Sequence, residues 1–135
     1  MESTSHRNPS IDTNVILRLI LRDDEELTRH ARDLVLNGND YYVDDYAVME
    51  AVYVLTKRQY SRDEICEVLR GLLGNSMFIY NEQFFTPVFE RYLTHPSLAF
   101  NDCVLEARAT LSEHTPLYTF DRKLAHQSPV AELVA

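Results

Sequence analysis

Four carboxylates are candidates for metal chemistry: three stand where apolar runs end or helices begin, and one lies inside an apolar stretch. Asp12 follows Ile11 and precedes Thr13-Asn14, and Asp121 closes the run Leu117-Tyr118-Thr119-Phe120. Asp102 lies in Phe100-Asn101-Asp102-Cys103, and Glu50 sits between Met49 and Ala51 in a stretch otherwise rich in apolar residues. Oxygen donors of this kind suit a hard divalent cation, which keeps several waters and is often bound through few carboxylates plus phosphate. Each acid also has a structural explanation. Asp12, with Thr13 and Asn14, suits a helix cap; Asp102 suits the positive end of a helix dipole; Asp121 suits an Asx-type turn. Glu50 can point to solvent, but buried it needs a partner or a metal.

The elements that must position these acids follow from hydrophobic period and punctuation. Ser10–Asp12 reads as the end of a short strand, and Asn14–Leu21 as a helix with Val15, Ile16, Leu19 and Ile20 on one face and Arg18 and Arg22 on the other. The acids of Asp23–Glu26 open a second helix that runs to about Leu36, where Asn37-Gly38-Asn39 stops it. Tyr41–Val43 is a strand candidate. Asp45 is placed to cap a helix from Tyr46 to about Gln59. Ser61-Arg62-Asp63-Glu64 is a capping-box sequence, opening an amphipathic helix through Ile65, Val68, Leu69 and Leu72.

Farther along, Met77–Tyr80 reads as a strand. Pro87 suits the first position of a helix capped by Thr86, with a kink in a longer helix as the alternative. Asn101–Ser112 is helical, Leu117–Phe120 a strand, and Val130–Val134 a final edge strand. Short strands separated by helices imply parallel pairing and a sheet covered on both faces. In such folds ligands gather beyond the carboxyl ends of the strands. Asp12 and Asp121 both stand there, so they can converge despite their separation in sequence.

Composition limits the alternatives. The chain has 135 residues, 45% of them hydrophobic and 25% charged, which suits one domain spanning 1–135 with an irregular segment over 1–9. No apolar stretch is long enough to span a bilayer, and Cys66 and Cys103 suit buried thiols rather than a disulfide framework, so the cytoplasm is the expected compartment. The histidines are scattered and form no zinc pattern. No Gly-rich phosphate loop is present. A formal charge of −8 opposes broad electrostatic binding to nucleic acid, unless carboxylates are concentrated at a metal site whose ions reverse the local charge.

Taken together, IDTNVILRLI at Ile11–Ile20, VMEAVYVL at Val48–Leu55, FNDCVLEARA at Phe100–Ala109 and LYTFDRKL at Leu117–Leu124 resemble the PIN-domain family, in particular its toxin ribonucleases of the virulence-associated protein C type. The resemblance runs from Ile11 to about Leu133. It implies a three-layer α/β/α sandwich around a central parallel sheet, with Asp12, Glu50, Asp102 and Asp121 as catalytic and metal-binding acids and Asn14 and Thr119 as supporting polar residues. It further implies one or two Mg²⁺ or Mn²⁺ ions, hydrolysis of RNA to 5′-phosphate and 3′-hydroxyl ends, a homodimer, and a small basic antitoxin that covers the acidic pocket. The sequence departs from the family pattern at its start. Asn8-Pro9-Ser10 occupies positions where an apolar strand is usual, and Pro9 cannot donate a ladder hydrogen bond.

Arg18, Lys57, Arg58, Arg122 and Lys123 are candidate phosphate contacts, each with solvated charge as the simpler explanation. Tyr41, Tyr42, Tyr46, Tyr53, Tyr60 and Tyr80 read as core or interface aromatics rather than base-stacking platforms. A catalytically silent PIN-like module that binds RNA or protein is the alternative function. Four mutually repelling acids favour the enzyme. A phospho-acceptor receiver domain would want an acidic pair after the first strand and a Lys after the last, and neither is evident.

Overall fold

The structure, a computed structural model, describes residues 8–135; the expected irregular segment therefore falls, for residues 1–7, outside the described residues. The chain divides into two compact units, Met1–Asn81 and Glu82–Ala135. The fold is α/β, and every strand pairing among the described residues is parallel.

The first unit carries helices α1 (Thr13–Leu21), α2 (Glu25–Val35), α3 (Asp45–Lys57) and α4 (Arg62–Leu73) with strands β1 (Tyr41–Tyr42) and β2 (Phe78–Ile79). Its helices form as their caps dictate: Asp24 accepts from the Leu27 amide, and Ser61 and Glu64 complete the reciprocal capping box. Helix α1 packs on α2 and α3, and α3 on α4. Ile16, Val48, Leu55, Ile65 and Leu69 are buried at helical spacing. Strand β1 pairs with β2 through Tyr41–Phe78 and Tyr42–Ile79.

The expected first strand is reduced to a parallel bridge between Ser10 and Tyr42. The Tyr42 amide donates to the Pro9 carbonyl at 2.8 Å, and the Ile11 amide to the Tyr42 carbonyl at 3.0 Å. In that register the next rung would need an N–H from Pro9, which has none, so pairing begins at its carbonyl.

The second unit carries α5 (Glu82–Thr94), α6 (Phe100–Leu111), β3 (Leu117–Thr119), α7 (Arg122–Gln127) and β4 (Ala131–Leu133), with β3 paired to β4. Its core is aromatic. Phe85 stacks on Phe100 at 6.2 Å between centroids, and Tyr92 meets Phe100 edge-on at 5.2 Å.

Some expected boundaries move. Asp44, not Asp45, caps α3, accepting from the Tyr46 amide, so Asp45 enters the first turn. Pro87 lies inside α5, as in the longer-helix alternative and not at the helix start, so Thr86 is an interior residue of the helix. One backbone bond is lost, and burial of Phe84, Phe85, Val88 and Phe89 around the proline outweighs it. Helix α6 begins at Phe100 after Ala99, one residue before the expected start, with no side-chain cap.

Candidate active-site acids

In the first unit, two of the four acids are joined through a third residue. Asp12 is the N-cap of α1, and its Oδ1 accepts from the Thr13 amide at 2.7 Å. Thr13, 4% exposed, donates its hydroxyl to Glu50 Oε1 at 2.8 Å, spanning 37 positions from α1 to the middle of α3. Glu50 is half-buried because Val48, Ala51 and Val52 turn that part of α3 into the core. Capping uses one oxygen of Asp12, and a carboxylate has capacity beyond one bond. Asn14 is exposed and lines, with Arg18, a groove between α1 and α2.

In the second unit each acid is held by its own helix end. Asp121 caps α7, its Oδ1 accepting from the Lys123 amide at 2.9 Å and the Leu124 amide at 3.2 Å. Thr119 accepts the Asp121 amide on its hydroxyl at 2.9 Å, fixing the turn out of β3. Asp102 is half-buried in the first turn of α6, whose N-cap Ala99 offers no side-chain oxygen. Its negative charge therefore meets the positive end of the helix without a competing cap.

Among the described residues, no three His, Cys, Asp or Glu side chains are grouped closely enough to hold a metal ion as a three-residue cluster. The donors nevertheless fit a hard cation in type. All are carboxylate oxygens, and Mg²⁺ is commonly bound through one or two carboxylates plus water and substrate phosphate.

The candidate basic contacts divide in the same way. Asp23 ties Arg18 to Arg58, bonding Arg58 at 3.1 Å, so these two cations are partly spent on the protein itself. The Arg58 hydrogen bond, aided by the charges of Arg18 and Arg58 and opposed by desolvation, holds the Asp23 carboxyl below its ordinary range. Lys57 lies over the Tyr53 ring, 5.6 Å from its centroid. Arg122 and Lys123 are exposed in the first turn of α7. At the end of β1, desolvation and the carboxylates of Asp44 and Asp45 push the Tyr42 hydroxyl above its ordinary value.

Thr13 is the residue that the sequence reading passed over. Its signal was a hydroxyl at the first helical position directly after an acid, which reads equally well as part of a cap. Of the tyrosines expected in the core or at an interface, Tyr46 and Tyr53 are 67% and 60% exposed and lie outside the core.

With this geometry in view, the comparison with known families is informative. Residues 10–128 match the PIN domain, a stretch that spans both units, and the chain belongs to the PIN domain family. PIN domains are in general metal-dependent nucleases. Comparison with curated proteins and with solved structures found no match. No helix among the described residues is long and apolar enough to cross a membrane.

Proposed function

We propose that this chain is a metal-dependent endoribonuclease whose Asp12, Glu50, Asp102 and Asp121 act together, and that it is the toxin of a type II toxin–antitoxin pair. The observation that carries the reading is the Thr13 hydroxyl bond to Glu50. A buried threonine next to one acid orients a second acid 37 positions away, an expense of sequence with little use in a mere helix cap. Family membership supplies the reaction class.

Asp12 and Asp121 would hold the cation with carboxylates already fixed at Oδ1 by the backbone, so little side-chain freedom remains to be lost on binding. Glu50 is aimed by Thr13, and Asp102 stands in the first turn of α6, at the positive end of the helix. Thr119 sets the direction of Asp121, and Asn14 stands two residues beyond Asp12 to orient water. Bound Mg²⁺ or Mn²⁺ supplies a water of lowered pKa and neutralises charge on the phosphodiester. Arg18, Lys57, Arg58, Arg122 and Lys123 are the cations that would meet the RNA backbone. One or two ions, a homodimer, a cytoplasmic setting and a small basic antitoxin complete the proposal. An arginine is the natural inhibitor chemistry, because guanidinium stays charged and binds a carboxylate through two hydrogen bonds.

The experiment is to incubate purified protein with RNA and Mg²⁺ or Mn²⁺ and sequence the ends, beside an Asp102→Asn control. Metal-dependent cuts bearing 5′-phosphates, absent in the control, are expected. RNA binding with no cutting under either metal would establish the silent binding module instead.

A further inference from the structure

A formal charge of −8 poses a difficulty for any protein that must hold RNA. Counterion release supplies most non-specific affinity for nucleic acid and needs a cationic surface. Stacking of bases on aromatic rings needs no net charge and tolerates any sequence, because every base has a π-face. An acidic nuclease therefore gains from aromatics in the open, and this chain has them beside Glu50 and beside Asp121.

On α3, Tyr46, Glu50, Tyr53 and Lys57 recur at i, i+4, i+7 and i+11, forming one outward stripe. Both tyrosines are exposed, and the Lys57 ammonium lies over one face of the Tyr53 ring, close enough to meet the phosphate of a base stacked on the other face. In the second unit, exposure alternates along Leu117-Tyr118-Thr119-Phe120, which turns Tyr118 and Phe120 outward together. Phe120 is 76% exposed, has no polar atom to satisfy water, and is covalently adjacent to Asp121. Arg122 and Lys123 follow at once.

We propose that Tyr53 with Tyr46, and Phe120 with Tyr118, are two base-stacking platforms, one beside Glu50 and one beside Asp121, that hold unpaired bases of a single RNA strand. The inference rests on the ribonuclease reading and names its substrate as single-stranded. Bases inside a duplex have both faces occupied and offer nothing to these rings. Seven helical residues separate Tyr46 from Tyr53, about 10.5 Å along the axis. Each ring therefore takes its own base from an opened strand. A second copy of the chain is the competing occupant. The charges of Glu50 and Lys57 within the first stripe oppose it, because the core of a protein interface is depleted in charged residues.

The test uses the full chain and a fluorescein-labelled oligoadenylate strand, with anisotropy read in EDTA so that cutting cannot intervene. Tyr53→Ala and Phe120→Ala are each expected to weaken binding about ten-fold with the salt slope unchanged, whereas Tyr53→Trp and Phe120→Tyr retain it. Lys57→Ala should instead lower the slope of log affinity against log salt by about 0.7. Alanine variants that bind like the parent, or losses that aromatic replacements fail to restore, overturn the platforms. So does sedimentation showing that Tyr53→Ala splits a dimer while strand affinity is unchanged, and so does a parent protein that does not bind the strand. If the parent cuts RNA with Mn²⁺ while the alanine variants bind normally, only the platforms fall. If binding depends on the rings but no metal supports cutting, the nuclease reading falls and the platforms stand.

Discussion

The two units hold themselves together with polar ties of opposite placement. In the first, the tie is part of the candidate site: Thr13 joins α1 to Glu50 on α3, and Asp12 is one residue away. In the second, the tie avoids the acids. Arg91 on α5 grips both oxygens of the buried Glu106 on α6, and reaches the Gln127 carbonyl at the end of α7 at 2.7 Å. The Glu106 hydrogen bond, opposed by desolvation and aided by its charge, raises the Arg91 pKa further, so that guanidinium stays charged throughout. Asp102 and Asp121 are left to their own helix ends. The polar tie is thus part of the candidate site in one unit and apart from it in the other, and mutation can pull the two cases apart.

The largest expected effect tests whether the acids are chemical in both units. Asp12→Asn and Asp121→Asn keep a good N-cap, since asparagine caps as well as aspartate. Each should lower RNA cleavage on the order of a thousand-fold, the scale for losing a group that stabilises developing charge, with little change in melting temperature. Cleavage equal to the parent's in both would move the chemistry elsewhere. Replacement by alanine should add a capping loss of about 1 kcal/mol in either unit, readable by denaturant titration.

Next comes the tie that avoids the acids. Glu106→Gln leaves the Arg91 guanidinium without its charge partner in a site only partly open to water. It should cost about 2–3 kcal/mol, below the full value for breaking a buried pair because Arg91 keeps some solvent contact. Arg91→Met with Glu106→Leu should recover most of that loss, since an apolar pair of similar volume replaces two charges. A double variant as unstable as the single one would mean the pair is held by something other than mutual charge compensation. Cleavage per folded molecule should not change, in contrast with the first unit.

Thr13→Val is the sharpest probe of the coupling. It removes one hydroxyl while keeping the branched shape, and should cost about 1 kcal/mol in stability. Freed from its donor, Glu50 loses its aim, and activity should fall about ten- to a hundred-fold, the scale of an outer partner that orients a ligand. Thr13→Ser should restore both. Thr119→Val in the second unit removes only an acceptor for the Asp121 amide, near solvent, and its stability effect should be smaller. Equal stability losses from both would erase the proposed contrast.

The sequence revealed much of this architecture because local rules agreed with the fold. Helices α1, α2 and α4 start where their acids and hydroxyls cap them, and the capping box at Ser61 and Glu64 forms as read. Pro87 left two readings open, because a proline reports a missing N–H and not the four buried side chains that carry the longer helix past it. Strands of two or three residues give too few alternations to set their ends, as at Met77–Tyr80, where only Phe78–Ile79 pairs. The Thr13–Glu50 bond joins residues far apart in sequence, and no local pattern announces it. The exposure of Tyr53 was legible in principle. It shares a helical stripe with Glu50 and Lys57, and the apolar faces of α3 lie elsewhere.

The smallest expected effect concerns Asp23, which joins Arg18 on α1 to Arg58 at the end of α3 on the surface of the first unit. This is a third kind of tie, made in water, and it should show how little an exposed charge pair adds beside Thr13. Its carboxyl titrates below the ordinary value of 3.8, chiefly through the Arg58 hydrogen bond, so the folded state favours its ionised form. The contribution is therefore fully present above 3.8 and is lost as pH falls through the lower folded value. Asp23→Asn should lower the melting temperature by no more than about 2 °C at neutral pH, and the gap from the parent should close as the solution is acidified below that value. Added salt should narrow the gap at neutral pH as well, because exposed charges are screened within about 10 Å at 0.1 M ionic strength. A gap that stays constant from neutral pH into strong acid would mean that Asp23 acts through the shape of the α1–α2 turn and not through its charge.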